Sequence, residues 1–384
     1  MNDINGTRAV FFLQPLVLGA WFPRIPQVQE HIGLSEGELA FALIGMPLGL
    51  LAALSFGSKI AEALGTRKLL ILGLGAYVLT MPMPAFANTW LQLFGGLAFA
   101  GMAMAIAQLS LNVTASEVEA RSDRSIMNGC HGFWSVGVLL GSAMGAARAE
   151  LRVNPDLSLT IVSLLSLPPI LFSARSITDY QLPAATKPKE KGPRLSKPLI
   201  GIALFGFGIS TTEGAMADWL AVFMTNIFDA SPGVAGVSYT LFALSVAFGR
   251  FQGDALKARF PVEKLARSLV GLAMAGLLVA LYSPAIWLSF VGVALLGLGV
   301  ALGFPLAVSA ASVLEGRSSA SNVAILTQMT LCGFLIGPPM IGLVAEASDI
   351  RLGLSVLLPV LSIAFLFAVS LKSRSILTSA QAPR

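Results

Sequence analysis

Long apolar stretches without a charged residue alternate along this chain with short polar connections. A helix that crosses a bilayer needs about 20 predominantly apolar residues. Eight uncharged stretches reach or approach this length, at 39–58, 69–116, 125–147, 157–174, 230–249, 268–314, 318–345 and 352–371. The pattern therefore predicts membrane-spanning helices rather than the amphipathic elements of a soluble domain.

Two of the stretches, 69–116 and 268–314, are long enough for two helices each, and a polar or proline-containing break interrupts both near the middle. Two further helices begin after Arg8 and after Lys197. The chain is therefore predicted to be an all-α polytopic membrane protein. Its twelve predicted spans cover about 9–29, 37–57, 69–87, 90–112, 125–147, 156–174, 198–224, 234–254, 266–283, 285–309, 319–343 and 351–371.

Composition agrees with a chain that lies in lipid. Hydrophobic residues make up 55% of the sequence, charged residues make up 12%, and the mean hydropathy is +0.79. Soluble domains average about 25% charged residues. The composition therefore excludes a water-soluble protein.

The distribution of Lys and Arg predicts the orientation, because these residues are retained on the cytoplasmic side. With an even number of spans, both termini lie on one side. If that side is the cytoplasm, 21 of the 25 basic residues lie there, and the exceptions are Arg24, Arg148, Arg152 and Arg351. We therefore expect an inner-membrane protein with cytoplasmic N- and C-termini. The net charge of +5 then reflects topology and predicts no nucleic-acid binding.

A hydrophilic segment at 175–197, rich in Lys, Arg and Pro, separates six spans from the other six. Its composition is that of a solvated linker. The predicted division of the chain is an N-terminal six-helix bundle at 1–174, a cytoplasmic linker at 175–197, a C-terminal six-helix bundle at 198–372 and a cytoplasmic tail at 373–384.

The two halves repeat each other at a nearly constant offset. Gly137 and Gly141 in span 5 lie 196 positions before Gly333 and Gly337 in span 11. The same offset relates 57–69 to 253–265, and an offset of 198 relates Gly101 and Glu117 to Gly299 and Glu315. A tandem repeat of six spans is typical of transporters whose two pseudo-symmetric bundles rock about a central site.

The loop between spans 2 and 3 has the sequence SKIAEALGTRK at 58–68. This segment resembles the loop motif G-x-L-a-D-r-x-G-r-k of the major facilitator superfamily. Gly65 and Arg67 match that motif, Glu62 replaces its Asp, and Ser58 replaces its leading Gly. A carboxylate at a helix end can bond a neighbouring helix N-terminus or an Arg and so hold one gating state.

A second copy at 249–254 has the sequence GRFQGD and resembles the version of this motif between spans 8 and 9. The resemblance covers nearly the whole chain. It implies a gating role for the residues Glu62, Gly65, Arg67, Arg250 and Asp254. The alternative is that these are ordinary charges and turns of cytoplasmic loops.

Within the superfamily, residues 127–137 and 213–219 resemble the group of fucose-type and rhizopine-type, MosC-like permeases. Members of that group are proton-coupled carriers of sugars, polyols or similar small solutes. The resemblance therefore implies a small-molecule substrate, protons as the coupling ion, symport by alternating access, no cofactor and a lipid-embedded monomer.

Two carboxylates lie inside the predicted span 7. Ionisable groups within a span are costly and mark functional positions by default. Glu213 follows 15 uncharged residues after Lys197, which places it about 22 Å along the helix. Because desolvation disfavours the charged form of a carboxylate, Glu213 is a candidate proton carrier. Asp218 is a second candidate, nearer the outer surface, and a structural polar contact is the alternative for both.

Two further ionisable groups lie in other spans. His131 lies in span 5 with Asn128 on the same helical face, where the pair could relay protons or bind a solute hydroxyl. A helix–helix hydrogen bond is the alternative. Arg24, next to Trp21 at the outer end of span 1, could bind a substrate carboxylate or pair with Asp218, whereas snorkelling to the interface is the commoner outcome.

Uncharged polar and aromatic residues complete the predicted substrate site. Spans 1, 4, 7 and 10 line the cavity in this superfamily, and Gln14, Gln108 and Asn112 lie in spans 1 and 4. Amides that face a wet cavity suit solutes with hydroxyl groups. Trp21 and Trp219 could stack on a sugar ring, while an interfacial aromatic belt is the alternative.

Other classes of membrane protein are less compatible with the sequence. An intramembrane enzyme would need clustered nucleophiles, bases or metal ligands, and the chain has no H-E-x-x-H or phosphate-binding G-x-x-x-x-G-K-[ST] motif. We therefore predict no enzymatic activity and no metal site. Two alternatives stay open: a drug or metabolite efflux antiporter of the same fold, and a membrane sensor that has lost transport.

Overall fold

The computed structural model describes residues 2–122, 126–178, 196–315 and 318–372. Within these ranges, the side chains at 54–59, 61, 62, 66, 128, 254 and 320 are outside the description. All regular secondary structure in the described residues is helical. The predicted tail and most of the predicted linker, 179–195, lie outside the described residues, so those domain boundaries stay predictions.

The helices lie where the apolar stretches predicted them. Eight spans are single helices: spans 3, 4, 5, 6, 7, 8, 9 and 11 are Thr66–Thr80, Trp90–Ser122, Met127–Glu150, Pro155–Arg175, Lys197–Phe228, Pro232–Arg259, Val262–Tyr282 and Ser319–Ala347. Four are interrupted: span 1 is Asp3–Trp21 and Ile25–Ile32, span 2 is Glu36–Leu43 and Gly45–Leu64, span 10 is Ile286–Val300 and Gly303–Ser312, and span 12 is Ile350–Ser355 and Leu357–Phe367.

Eleven of the described segments are long and apolar enough to cross a membrane. The remaining long helix, Met127–Glu150, has 24 residues and lies at the predicted fifth span. The prediction of twelve spans is therefore confirmed. Some helix ends differ from the predicted ends. Span 4 extends to Ser122 rather than 112, because hydropathy marks the end of an apolar stretch and not the end of the helix.

The repeat of 196 residues is visible in where the helices begin. Spans 3 and 9 begin at Thr66 and Val262, and spans 4 and 10 begin at Trp90 and Ile286. Packing repeats in the same way: span 1 packs on span 5 as span 7 packs on span 11, span 2 on span 4 as span 8 on span 10, and span 3 on span 6 as span 9 on span 12. The two halves are pseudo-symmetric six-helix bundles, as predicted.

The two halves meet along two equivalent seams, where span 5 packs on span 8 and span 2 packs on span 11. The beginning of span 1 and the end of span 12 lie on the same face of the protein because the number of spans is even. We name this the inner face and the opposite one the outer face. The turns that connect spans 1 to 2, 5 to 6, 7 to 8 and 11 to 12 lie at the outer face.

Two glycines bring span 5 into backbone contact with span 1. A Cβ added at Gly137 would overlap the carbonyl oxygen of Phe12, and one added at Gly141 would overlap the carbonyl oxygen of Leu16. Small residues four positions apart let two helices in a membrane approach closely. This packing fixes the position of span 5, which also forms one of the two seams.

We expect Gly141→Val to destabilise the N-terminal bundle, because its side chain would meet backbone that cannot rotate away. Overpacking of this kind costs about 1–3 kcal/mol, and more where the obstacle is backbone. Thermal unfolding of the purified protein in detergent measures the effect. Gly75→Val is the matched control, because a Cβ at Gly75 has no neighbour within 4 Å. Equal melting temperatures for the two variants would contradict the packing argument.

Candidate functional site

A cavity lies between the two halves. Its volume is about 270 Å³, just below the range of about 300–1,000 Å³ that is typical of small-molecule sites. Spans 1, 2, 4, 5, 7, 8 and 11 contribute to its wall. The lining residues are Leu18, Trp21, Phe22, Leu43, Met46, Pro47, Leu50, Leu97, Met104, Trp134, Ser135, Val138, Glu213, Gly214, Ala217, Asp218, Tyr239, Phe242, Ala243, Val246, Arg250, Leu331 and Phe334.

The two halves use equivalent positions to line this cavity. Nine pairs of lining residues are 196 positions apart: 18 and 214, 21 and 217, 22 and 218, 43 and 239, 46 and 242, 47 and 243, 50 and 246, 135 and 331, and 138 and 334. The same faces of equivalent helices therefore form both walls.

The charges of the cavity belong to one half only. Its charged lining residues are Glu213, Asp218 and Arg250, all in the C-terminal half. The positions that correspond to them in the N-terminal half are Val17, Phe22 and Leu54. The cavity thus has one apolar wall and one wall with two carboxylates and a guanidinium.

Glu213 and Arg250 form an ion pair in the cavity. The Nη2 of Arg250 lies 3.4 Å from each carboxylate oxygen of Glu213. The side chains are 29% and 20% exposed for Arg250 and Glu213, respectively. Because both groups are largely removed from water and lie in a membrane protein, each depends on the other to offset its desolvation.

Arg250 also joins three other spans to its own. Its Nε donates a hydrogen bond to the carbonyl of Ala301 at 3.3 Å, and its Nη1 donates one to the hydroxyl of Ser135 at 3.3 Å. The Ala301 carbonyl lies where span 10 is interrupted, and such breaks free backbone carbonyls for other donors. Ser135 belongs to the N-terminal half, so this guanidinium links the two halves at the cavity.

Asp218 lies on the same face of span 7 as Glu213, together with Gly214 and Ala217. Its carboxylate has no hydrogen bond or ion pair with any side chain in the described ranges. It is therefore available to a solute or to a proton within the cavity.

The wall toward the outer face is aromatic. Phe22 and Tyr239 have ring centroids 4.7 Å apart, and Tyr239 stacks on Phe242 at 6.2 Å. Phe22 lies in the N-terminal half and the other two lie in span 8, so ring contacts bridge the halves in this wall. Aromatic pairs of this kind stabilise a contact beyond the area they bury.

A comparison with protein families decides the class of this protein. The sequence model of the Major Facilitator Superfamily matches residues 9–219, more than half of the chain. The chain belongs to the Major Facilitator Superfamily. It is therefore a membrane transporter and not an enzyme, as the sequence predicted, and its cavity between two halves is the place where a small solute would bind.

Curated relatives match along most of their length. An uncharacterized MFS-type transporter of Yersinia pestis is 28% identical over 352 residues, which cover 90% of this chain and 89% of the relative. The membrane protein MosC of Rhizobium meliloti is 27% identical over 340 residues, which cover 88% of this chain and 82% of MosC. The predicted resemblance to the MosC-like group is confirmed.

Solved structures share the fold at low sequence identity. The nucleoside transporter NupG superposes with a TM-score of 0.73 at 12% identity, over 97% of this chain and 98% of NupG. FucP in its outward conformation superposes with a TM-score of 0.63 at 18% identity, over 96% of this chain and 98% of FucP. These similarities establish the major facilitator fold of the chain.

The structure brings some predicted site residues together. Glu213, Asp218, Trp21 and Arg250 all line the cavity. Arg250, which the motif placed among the gating residues, is the direct partner of Glu213. The ion pair unites a predicted proton carrier with a predicted gating residue in one contact.

Other predicted residues lie away from the lining. Gln14 is fully buried and accepts a hydrogen bond from the Gln108 amide at 3.1 Å. This hydrogen bond links spans 1 and 4. Asn112 is half-buried outside the lining. Trp219 is fully buried and lies against Gly342 of span 11 rather than in the cavity.

Arg24 and His131 also lie outside the lining. Arg24 is fully buried and donates to the carbonyl of Val153 in the turn between spans 5 and 6, where it neither snorkels nor pairs with Asp218. His131 is exposed one turn from Ser135 toward the inner face, and its ring lies 5.5 Å from that of Phe11. Among the described residues, neither side chain forms a hydrogen bond with Glu213 or Arg250.

The remaining predicted gating residues lie near the inner face. Gly65 has a left-handed backbone with φ of 77° before span 3, and Arg67 donates to the carbonyl of Arg175 at 2.6 Å, within the same half. The side chains of Glu62, Asp254 and Asn128 lie outside the described residues. The predictions made for these three stay predictions.

Sequence reasoning missed the face of span 8 that lines the cavity. Tyr239, Phe242, Ala243, Val246 and Arg250 all belong to it. Their spacing of three, four and seven residues is that of one helical face, and an arginine at the end of an otherwise apolar face is a detectable signal. The pairing of Arg250 with Glu213 had no such signal, since the two residues are 37 positions apart and lie in different spans.

We expect the ion pair to show thermodynamic coupling. Glu213→Gln and Arg250→Gln should each destabilise the protein, whereas the double variant should lose less than the sum, with a coupling free energy on the order of 1–2 kcal/mol. Unfolding in detergent–SDS mixtures measures the cycle. The control is the Glu263–Arg267 pair at 3.1 Å, where Arg267 is 41% exposed, and exposed pairs of this spacing couple by about 0.3–0.5 kcal/mol. Equal coupling in the two cycles would contradict the argument.

Proposed function

We propose that this transporter moves a small polar solute, such as a sugar, a polyol or a related compound, across the inner membrane by proton-coupled symport. In this proposal both termini lie in the cytoplasm, so the inner face is cytoplasmic. The observation that carries the proposal is the Glu213–Arg250 ion pair in the central cavity, together with the bond from Arg250 to Ser135 in the other half.

The ion pair suggests how a proton would be coupled to the solute. A proton on Glu213 removes the negative charge that faces Arg250. The guanidinium then keeps its bonds to Ala301 and Ser135 and has an Nη2 free to donate to an oxygen of the solute. Loss of solute and proton to the cytoplasm restores the pair, and the empty protein can return. Ionisable groups within membrane spans commonly serve such proton relays.

The lining supports a solute with both polar and apolar faces. Aromatic residues such as Trp21, Trp134 and Tyr239 can pack on the apolar face of a sugar ring, while Asp218 and Arg250 can bond its hydroxyls. Among the similar proteins, FucP is described as a fucose:proton symporter and NupG as a nucleoside transporter. Both names are consistent with a hydroxylated solute.

One observation favours a second candidate. Most of the lining is apolar, and Met46 and Met104 add flexible side chains that adapt to varied shapes. Such a wall would also suit a lipophilic drug or metabolite that leaves the cell in exchange for protons. A non-transporting sensor of the same fold would bind its solute without moving it.

A thermal-shift screen distinguishes the solute classes. We expect a sugar, polyol or amino sugar to raise the melting temperature of the purified protein, because ligands that bind only the folded state stabilise it by about 2.7 kcal/mol at 100 times Kd. Asp218→Asn should reduce that shift, whereas Asp229→Asn at the exposed outer end of span 7 should not. Stabilisation only by lipophilic compounds would favour the efflux alternative.

Transport of the stabilising solute in proteoliposomes tests whether solute movement is coupled to protons. We expect an inward-directed proton gradient to drive accumulation in the unmodified protein. Glu213→Gln should lose this accumulation but keep solute exchange without a gradient, because a neutral side chain mimics the protonated state. Glu263→Gln, which removes a carboxylate from the inner end of span 9, should retain accumulation.

Three results would refute parts of this proposal. Gradient-driven accumulation in Glu213→Gln would remove the proton-carrier role from Glu213. Solute expulsion driven by the same gradient would indicate antiport. Binding without any flux would indicate the sensor.

A further inference from the structure

Glu150, the last residue of span 5, reaches across a seam to the beginning of span 8. Its Oε2 accepts a hydrogen bond from the backbone N–H of Gly233 at 3.0 Å and one from the hydroxyl of Ser231 at 2.7 Å. Ser231 is itself the N-cap of span 8. A carboxylate of the N-terminal half thus satisfies free donors in the first turn of a helix of the C-terminal half.

Glu346, near the end of span 11, makes the corresponding contact at the other seam. Its Oε2 accepts a hydrogen bond from the backbone N–H of Gly37 at 3.0 Å, and the Ser35 hydroxyl is a further partner. Ser35 is the N-cap of span 2. Here a carboxylate of the C-terminal half bonds the first turn of a helix of the N-terminal half.

These two contacts are related by the internal repeat, residue for residue. The two carboxylates, the two N-cap residues and the two glycines are each 196 positions apart, which is the length of the repeat. The pairs are Glu150 and Glu346, Ser35 and Ser231, and Gly37 and Gly233. The turns that precede them match as well, because Gly33 and Asp229, also 196 positions apart, both have a left-handed backbone.

A close contact of small residues lies one turn below each carboxylate. At one seam, a Cβ added to Gly236 of span 8 would lie 2.8 Å from the Cβ of Ala146. At the other, a Cβ added to Gly342 of span 11 would overlap the Cβ of Ala40. These four positions are again related by the repeat, so each seam combines a carboxylate contact with helix-to-helix packing.

We propose that Glu150 and Glu346 are two equivalent latches that hold the outer side of the cavity closed. This proposal rests on alternating access from the proposed function. Each carboxylate meets donors that a helix N-terminus leaves free, and the helix dipole favours a negative charge there. Since the donors belong to the opposite half, opening the outer side breaks both contacts, and each latch therefore stabilises the outward-closed state alone.

Both carboxylates are exposed to solvent, so water competes for the same bonds. Each latch is consequently weak enough to open during a transport cycle. We expect removal of one latch to raise the population of the outward-open state several-fold. Removal of both should raise it by about the product of the single effects, since contacts at well-separated sites act additively.

Labelling of a cysteine in the cavity measures that population. The reporter protein has Ala217→Cys on span 7, which lines the cavity, and has Cys130→Ser and Cys332→Ser so that no other thiol reacts. A membrane-impermeant maleimide is added to intact cells, and the rate is normalised to labelling after the membranes are permeabilised. We expect slow labelling in the reporter protein, several-fold faster labelling with Glu150→Gln or Glu346→Gln, and the fastest labelling with both.

Glu30→Gln is the matched control, because Glu30 is an exposed outer carboxylate of span 1 whose side chain has no hydrogen bond or ion pair among the described residues. Its labelling rate should equal that of the reporter protein. The latch proposal would be contradicted if the labelling rate were unchanged in both Glu150→Gln and Glu346→Gln, or if Glu30→Gln raised it equally. Fast labelling of the reporter protein itself would contradict an outer side that the latches hold closed. The assay requires neither a solute nor a proton gradient, so a failure of solute class or coupling does not affect it.

The two glycines provide a second, independent variant pair. A Cβ at Gly233 would overlap Oε2 and Cβ of Glu150, whereas a Cβ at Gly37 would lie 3.5 Å from the nearest atoms of Glu346, an ordinary contact. We therefore expect Gly233→Ala to accelerate labelling of the introduced cavity thiol in the reporter protein and Gly37→Ala to leave it unchanged. Circular dichroism confirms that the variants are folded. The opposite order of rates would overturn the proposal.

Discussion

A bilayer offers no partner for a charge or an unpaired hydrogen-bond donor, and this constraint determines where polar groups occur in the protein. Arg250 shows the consequence. Its guanidinium has Glu213, the Ala301 carbonyl and the Ser135 hydroxyl as partners, drawn from three other spans. These partners exist together only at the junction of the halves. The cavity is therefore the place where a charge can be kept inside the membrane and still be reached by a solute or a proton.

Contacts within a half and contacts between the halves both include close packing of small residues, and the seams add polar contacts that water can replace. Within the N-terminal half, Gly141 brings span 5 against the backbone of span 1, a contact that cannot slide without losing its packing. Between the halves, hydrogen bonds such as that of Ser142 with Thr240 at 2.8 Å join a few polar atoms. Polar contacts of this kind can be exchanged for water when the halves separate. In the proposed transport cycle, these polar contacts are the ones that break when the two bundles separate.

The sequence was sufficient to predict the twelve spans and the two bundles, because a bilayer imposes a length and polarity that can be read directly. It was also sufficient to single out Glu213 and Asp218, since ionisable residues in a span are rare. It did not predict that Gln14 and Gln108 bond to each other, or that Arg24 is buried against Val153. Those contacts depend on which face each helix turns toward its neighbours. Apolar stretches of nearly uniform hydropathy do not indicate that orientation.

The two outer seams have matched carboxylate contacts at equivalent positions, whereas the charges of the cavity lie in one half, and this difference has a physical basis. If the two bundles rock as proposed, both seams open together, which favours matched contacts at equivalent positions such as Glu150 and Glu346. A solute has no such symmetry. In the cavity, Asp218 and Phe22 occupy equivalent positions of the repeat, so a carboxylate on one wall corresponds to an aromatic ring on the other. Equivalent helices thus form both walls, while different side chains at equivalent positions make one wall of the cavity charged and the other apolar.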